Sequence, residues 1–177
     1  FPALHEVALF YSDWLQTDSR DGSLIAYPST SPENRYVNQK GIAVASCKGS
    51  AMDQQVIHEV FTNYLSAAKE LNIENEVSQK IAKQLPELRA GFLLGKDGRI
   101  LEWDRPYQEN EPGHRHMSHL YGFHPGSQIS PNATPKLFEA VKTTLNYRLA
   151  NGGAGTGWSR AWLINCAARL LDGAMVQ

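Results

Sequence analysis

SAMDQQVIHEVFTNYLSAAKEL, residues Ser50–Leu71, reads as a long helix. Met52, Val56, Val60, Phe61, Tyr64, Leu65, Ala68 and Leu71 recur at helical spacing and form one apolar stripe. Ser50 is a good N-cap, and Asp53 three residues on makes a variant capping box. The same period appears on both sides. Residues 3–16 carry Leu4, Val7, Ala8, Tyr11, Trp14 and Leu15 on one face. A shorter helix over about Glu76 to Leu85 is stopped by Pro86. Thr134-Pro135 opens a helix through about Ala150, with Leu137, Val141, Leu145 and Leu149 inward and Asn151-Gly152-Gly153 at its end. A last helix starts near Ser159, read as its cap, and carries Trp162, Cys166, Ala167 and Leu170. The fold expected is mainly α: helix pairs joined by long, decorated loops.

The connections hold little strand. Ser23–Ala26 is a short apolar run, and Gly41–Ala45 suits a short strand. Residues 91–103 change period: GFLL and RILEW flank Gly95-Lys96-Asp97-Gly98, a hairpin signal. Scaffolds of paired helices often carry their chemistry in such loops.

Length and charge narrow the function. The 177 residues make a single segment, residues 1–177, and 42% of them are apolar, enough for a core. The net charge of −1 gives no electrostatic reason to expect nucleic acid or an anionic membrane as partner. No apolar run is long enough to span a bilayer, and this segment itself holds no signal peptide. Cys47 and Cys166 do not make a disulfide framework. Asn132-Ala133-Thr134 is a glycosylation sequon flanked by prolines on both sides.

The densest chemistry lies in EPGHRHMSHLYGFHPG, Glu111–Gly126, which holds four of the six histidines, an arginine and two Pro-Gly steps. Imidazoles and a guanidinium so close together suit a polar ligand, an anion or a metal. The spacing of His114, His116 and His119 can ligate zinc, but no carboxylate–histidine arrangement nearby completes a zinc signature. Arg115 beside His116 suits sugar hydroxyls or a carboxylate that must be oriented. In SPENRY, Ser31–Tyr36, Pro32 stiffens the loop that presents Glu33. A stiffly held, partly desolvated Glu suits general acid work, although most loop glutamates are simply solvated. Glu102-Trp103 closes the expected hairpin. An indole can stack on a sugar face beside a hydroxyl-binding Glu, or can be a core Trp with a rim Glu.

PSTSPENRY, SAMDQQVIHEVF, GKDGRILEW, EPGHRHMSHLYGFHPG and GWSRAWLINCAARLLDG occur in this order along the chain. Together they resemble glycoside hydrolase family 95, inverting α-L-fucosidases, chiefly 1,2-α-L-fucosidases, with some α-L-galactosidases. The resemblance covers essentially the whole chain. It implies an (α/α)6 barrel, no cofactor and no metal, and a fucosylated oligosaccharide or glycan as substrate. Through the SPEN motif it implies Glu33 as the general acid, with Arg115 and His116 on the sugar. Trp103, Glu102 and His119 are further candidates for substrate binding. A secreted or periplasmic location is implied in the same way.

The chain departs from the family on its base side. The family's Asn-x-Asn motif is expected before Phe1, and its aspartate, in a QIDGNFG-like motif, beyond Gln177. The barrel closes with twelve helices, and about five or six are legible here. The expectation is about half a barrel, holding the acid but needing the remaining segments of the same domain. Such an open half would bare more apolar surface than the few hundred Å² a soluble monomer tolerates. The rival readings are an α-L-galactosidase, a sugar-binding or scaffold remnant without catalysis, and a zinc hydrolase built on the histidine trio.

Overall fold

The structure, a computed structural model, describes residues 1–176. It is mainly helical with small antiparallel sheets. Helix α1 spans Pro2–Trp14. It ends two residues before the expected limit because Leu15–Thr17 (β1) is extended and pairs with Leu24–Ala26 (β2), Leu15 opposite Ala26. Four two-residue strands follow: Ser29–Thr30 (β3), Tyr36–Val37 (β4), Ala43–Val44 (β5) and Ser46–Cys47 (β6). β3 pairs with β6 and β4 with β5, so the strand expected at Gly41–Ala45 is present but shorter.

Helix α2, Ala51–Glu70, is the spine. Ser50 caps it by accepting from the Asp53 N–H at 3.2 Å. The expected capping box is only half made, because the Asp53 carboxylate turns away and accepts from the Ser29 hydroxyl at 2.6 Å. The buried stripe is also rotated from the apolar one. It runs through Gln54, Ile57, Phe61, Tyr64 and Ala68, while Leu71 is 54% exposed. Gln54 and Gln55 are buried because their amides complete the backbone bonds of passing loops. Gln54 accepts from the Ala26 N–H and donates to the carbonyls of Leu24 and Arg89. Gln55 donates to the carbonyls of Gly91 and His119 and accepts from the Gly122 N–H.

Helix α3, Glu76–Gln84, opens on an Asn75–Ser78 capping box and gives way at Pro86 to a 3-10 turn, Leu85–Glu87. The hairpin expected over residues 91–103 reduces to one bridge, Leu94 to Ile100, around the Gly95–Gly98 turn. Glu102 and Trp103 therefore lie in irregular chain rather than on a strand. The apolar side chains of this stretch do not alternate against a partner sheet; Ile100 is drawn into the helical core. Gln108–Glu109 (β7) pairs with β4, placing Glu109 opposite Tyr36. Ser118–Leu120 forms a 3-10 turn.

Helix α4, Pro135–Ala150, matches its expected limits. Helix α5, Gly157–Arg169, is capped by Thr156, not Ser159. Ser159 is the third residue of the helix, and its hydroxyl closes the box by accepting from the Thr156 N–H at 3.3 Å. A short turn of helix, α6, spans Gly173–Val176.

Two apolar clusters result. Ala8, Ala26, Ile57, Phe61, Tyr64 and Ile81 join α1, α2 and α3. Met117, Leu120, Phe123, Val141, Leu145, Leu163 and Cys166 join α4, α5 and the histidine-rich segment. The Ile, Leu, Val, Phe and Met side chains among them each contribute about 1.5–3 kcal/mol when fully buried. Gln55, between the clusters, fixes the histidine-rich segment to α2.

Candidate active site

Glu33 and Arg115 are 82 residues apart in sequence and meet in the fold. The β4–β7 pairing causes this. It lays the chain after Ser31 beside the chain before Arg115, and the Asn110 N–H donates to the Arg35 carbonyl at 2.8 Å. Arg115 Nη2 lies 2.5 Å from Glu33 Oε2, and His116 Nε2 lies 4.0 Å from the same oxygen. Glu33 and Arg115 are both open to solvent, while His116 is half-buried.

Hydrogen bonds fix the His116 ring. Its Nδ1 is 3.2 Å from the Pro32 carbonyl, which can only accept, so that nitrogen carries the proton. Its Nε2 faces Glu33. The Ser118 hydroxyl donates to the same carbonyl. The His116 N–H donates to His114 Nδ1 at 3.0 Å, which puts the His114 proton on Nε2. Burial pushes the His114 imidazole below its ordinary value, against the pull of Glu102 and Glu111. Trp158, 55% exposed at the start of α5, lies with its ring 4.8 Å from that of His116. It forms one wall of a cavity of about 320 Å³ with Trp162, His124 and Asn165.

Three expected substrate contacts lie elsewhere. The Glu102 side chain is 2% exposed, and both its oxygens are used internally. Oε1 accepts from Ser31 at 2.7 Å; Oε2 accepts from Asn34 at 3.0 Å and from Arg148 at 2.6 Å. Burial works against its charge, but the field of His119 and Arg148 and the bonds from Ser31 and Asn34 hold its carboxyl below the usual range. His119 is itself neutral at ordinary pH, so the Arg148 guanidinium supplies the effective charge. Trp103 is 3% exposed and packs edge-on against Tyr36, so its faces are not open to a sugar. His119 is 2% exposed, and burial pushes its imidazole down to about 3. All three are buried away from Glu33, and all three lie in the wall of a separate cavity.

The histidine trio does not converge as a metal centre would. His114 and His116 are tied to backbone and to each other, and His119 is buried beside Glu102. Among the described residues no group of three or more His, Cys, Asp or Glu side chains is placed to hold a metal ion. A second cavity, of about 350 Å³, is lined by Arg99, Trp103, Tyr107 and Tyr147 among others, and Glu33 is not in its wall. The exposed Glu33 carboxyl, with Arg115 and His116 beside it, lies outside this cavity.

Sequence reading overlooked Ser31, Asn34, Ser118 and Arg148. Only Arg148 left a signal: it falls seven residues after Val141, on the buried stripe of α4, where an unpaired charge would be costly.

The family described as glycosyl hydrolase family 95 catalytic domain matches residues 1–177. An "Alpha-L-fucosidase 2" of Arabidopsis thaliana is 38% identical over 174 residues, 96% of this chain and 20% of the relative. A "Probable alpha-fucosidase A" of Aspergillus oryzae is 32% identical over 158 residues, 84% of this chain and 21% of the relative. One of Aspergillus niger is 30% identical over 181 residues, 96% of this chain and 22% of the relative. The chain thus spans about a fifth of the length of these relatives.

Proposed function

This chain belongs to the glycosyl hydrolase family 95 catalytic domains, and from that premise we propose that the protein carrying it is an inverting α-L-fucosidase with Glu33 as general acid. One observation carries the assignment of the acid. Glu33 stands on a pinned loop with Arg115 on its Oε2 and His116 Nε2 4.0 Å away; its side chain is 60% exposed in this segment rather than partly desolvated as expected, so placement and not burial supports the reading.

In the proposed reaction Glu33 gives its proton to the glycosidic oxygen as the bond to the fucose anomeric carbon breaks. Water attacks the opposite face, so an α-linked substrate yields β-L-fucose. Inverting geometry sets the acid and the base side about 6.5–9.5 Å apart to admit that water. The base side belongs to other segments of the domain. Arg115 and His116 Nε2 orient the sugar hydroxyls. The preferred linkage is α-1,2 to a glycan, and the protein works outside the cytoplasm.

The described helices account for about half of an (α/α)6 barrel in this reading. Among the large apolar side chains left open, Val7 and Phe10 on α1 and Trp158 and Ile164 on α5 are those the remaining segments would cover or the substrate would meet.

The test is sugar release by the complete protein from 2′-fucosyllactose and from the matching α-1,2-L-galactoside. Fucose released faster supports the reading. Galactose released faster moves the assignment to the L-galactosidase branch, and release of neither leaves a non-catalytic role.

A further inference from the structure

We propose that the buried Glu102–Arg148 ion pair sets where Glu33 stands relative to Arg115 and His116, making both members positioning residues for the acid step. The inference rests on the reading of Glu33 as the acid.

Each member holds one of the two loops that meet at the site. Glu102 receives Ser31 on one oxygen and Asn34 on the other, and these residues bracket Pro32-Glu33. Arg148 Nη1 donates to the carbonyls of Glu111 at 3.1 Å and Pro112 at 2.8 Å, where the run to Arg115 begins. Arg148 Nη2 then closes on Glu102 Oε2 at 2.6 Å. A continuous chain of hydrogen bonds therefore runs from Ser31 through Glu102 and Arg148 to Pro112. Every residue whose side chain takes part is buried: Ser31 1%, Asn34 1%, Glu102 4% and Arg148 2% exposed as whole residues.

The use of charge here has a physical meaning. A buried ion pair is often no more stable than apolar side chains of the same volume. A carboxylate and a guanidinium do offer fixed, directional, bidentate partners, which apolar packing cannot. That directionality falls on the two loops that carry the acid and the sugar contacts. Proton donation to a leaving oxygen tolerates little displacement, so an error of about 1 Å in such a carboxyl can cost on the order of 10²-fold.

The test compares two substrates in the complete protein. 2′-Fucosyllactose has a poor leaving group that needs the acid's proton. α-L-Fucosyl fluoride has a leaving group that departs with little protonation. Glu33→Gln is the reference and should lose far more on the first substrate than on the second. Glu102→Gln, Arg148→Lys and Ser31→Ala are then measured. The expected result is the same bias: kcat on 2′-fucosyllactose falls on the order of 10- to 100-fold, with fluoride hydrolysis little changed. Ser31→Ala removes one hydrogen bond and leaves the ion pair, so it reports even where the charge-altering variants fail to fold. Equal losses on both substrates would mean that the pair only stabilises the fold. No loss on either would mean that it does not position the acid. If Glu33→Gln itself shows no bias, the acid assignment fails and this inference falls with it.

Discussion

The Arg115 guanidinium meets Glu33 across an open surface, the two side chains being 45% and 60% exposed. Pairs this exposed contribute only about 0–1 kcal/mol to folding. Arg115 can therefore exchange Glu33 for a sugar hydroxyl at little cost to the fold.

Arg115→Ala should leave the melting temperature of the complete protein almost unchanged. Loss of a donor to a bound hydroxyl costs about 1–3 kcal/mol, so kcat/KM should fall roughly 5- to 150-fold. Steady-state kinetics beside a thermal melt would check both. A large drop in melting temperature with unaltered kcat/KM would make Arg115 a structural residue.

Gly113, two residues before Arg115, admits no side chain. A Cβ built there would lie 1.9 Å from the Asn151 carbonyl oxygen, which is backbone at the end of α4 and cannot move aside cheaply. Gly113→Ala should destabilise by about 1–3 kcal/mol or more, as overpacking does. Urea unfolding would measure it, and a midpoint like that of the parent would contradict the close packing of this loop on α4.

The helices were the most legible part of the sequence. In α4 the period, the Thr134-Pro135 start and the Asn-Gly-Gly end agree, and its limits were read correctly. For α2 the limits were right and Phe61, Tyr64 and Ala68 of the apolar stripe are buried, but the buried face is turned toward Gln54 and Gln55, because apolar periodicity does not register a buried amide. Thr156 was missed as the α5 cap because Ser159 satisfies the same composition rule three residues later. The hairpin over 91–103 failed for a different reason. Its turn chemistry was right and Ile100 does bridge Leu94, but the pairing stops there, with Ile100 drawn into the helical core and Trp103 packed on Tyr36. At the candidate site, two loop motifs single out Glu33, Arg115 and His116, and the fold brings the three side chains together. The burial of Glu102 and His119, candidates for substrate binding by sequence, is not legible there because it follows from partners 46 and 64 residues away, Arg148 and Gln55.

His119 should make the protein acid-sensitive. Its imidazole is neutral in the fold and is held down to about 3, against about 6.5 when unfolded. The unfolded chain thus binds a proton that the folded one refuses. The stability this neutral ring supports is full above about pH 6.5 and is lost as pH falls toward about 3, at up to about 1.4 kcal/mol per pH unit. Denaturant unfolding at pH 7, 6 and 5 should show the loss, and His119→Gln should flatten the slope. An identical slope in the variant would place the sensitivity elsewhere.

Cys47 and Cys166 should be inert in the native state. Both are buried, and burial pushes each thiol up to about 12, so almost no thiolate exists at neutral pH. Mass spectrometry after iodoacetamide at pH 7.5 should find both unmodified until denaturant is added. Rapid alkylation of either in the native protein would contradict its burial.

The central claim, an inverting hydrolase with Glu33 as its acid, is tested most directly by proton NMR of the complete protein with 2′-fucosyllactose from the first turnovers, wild type beside Glu33→Gln. The account predicts that β-L-fucose appears before its α anomer, and that Glu33→Gln slows its release by about 10²–10⁴-fold. α-L-Fucose appearing first, or near wild-type release by Glu33→Gln, would contradict it.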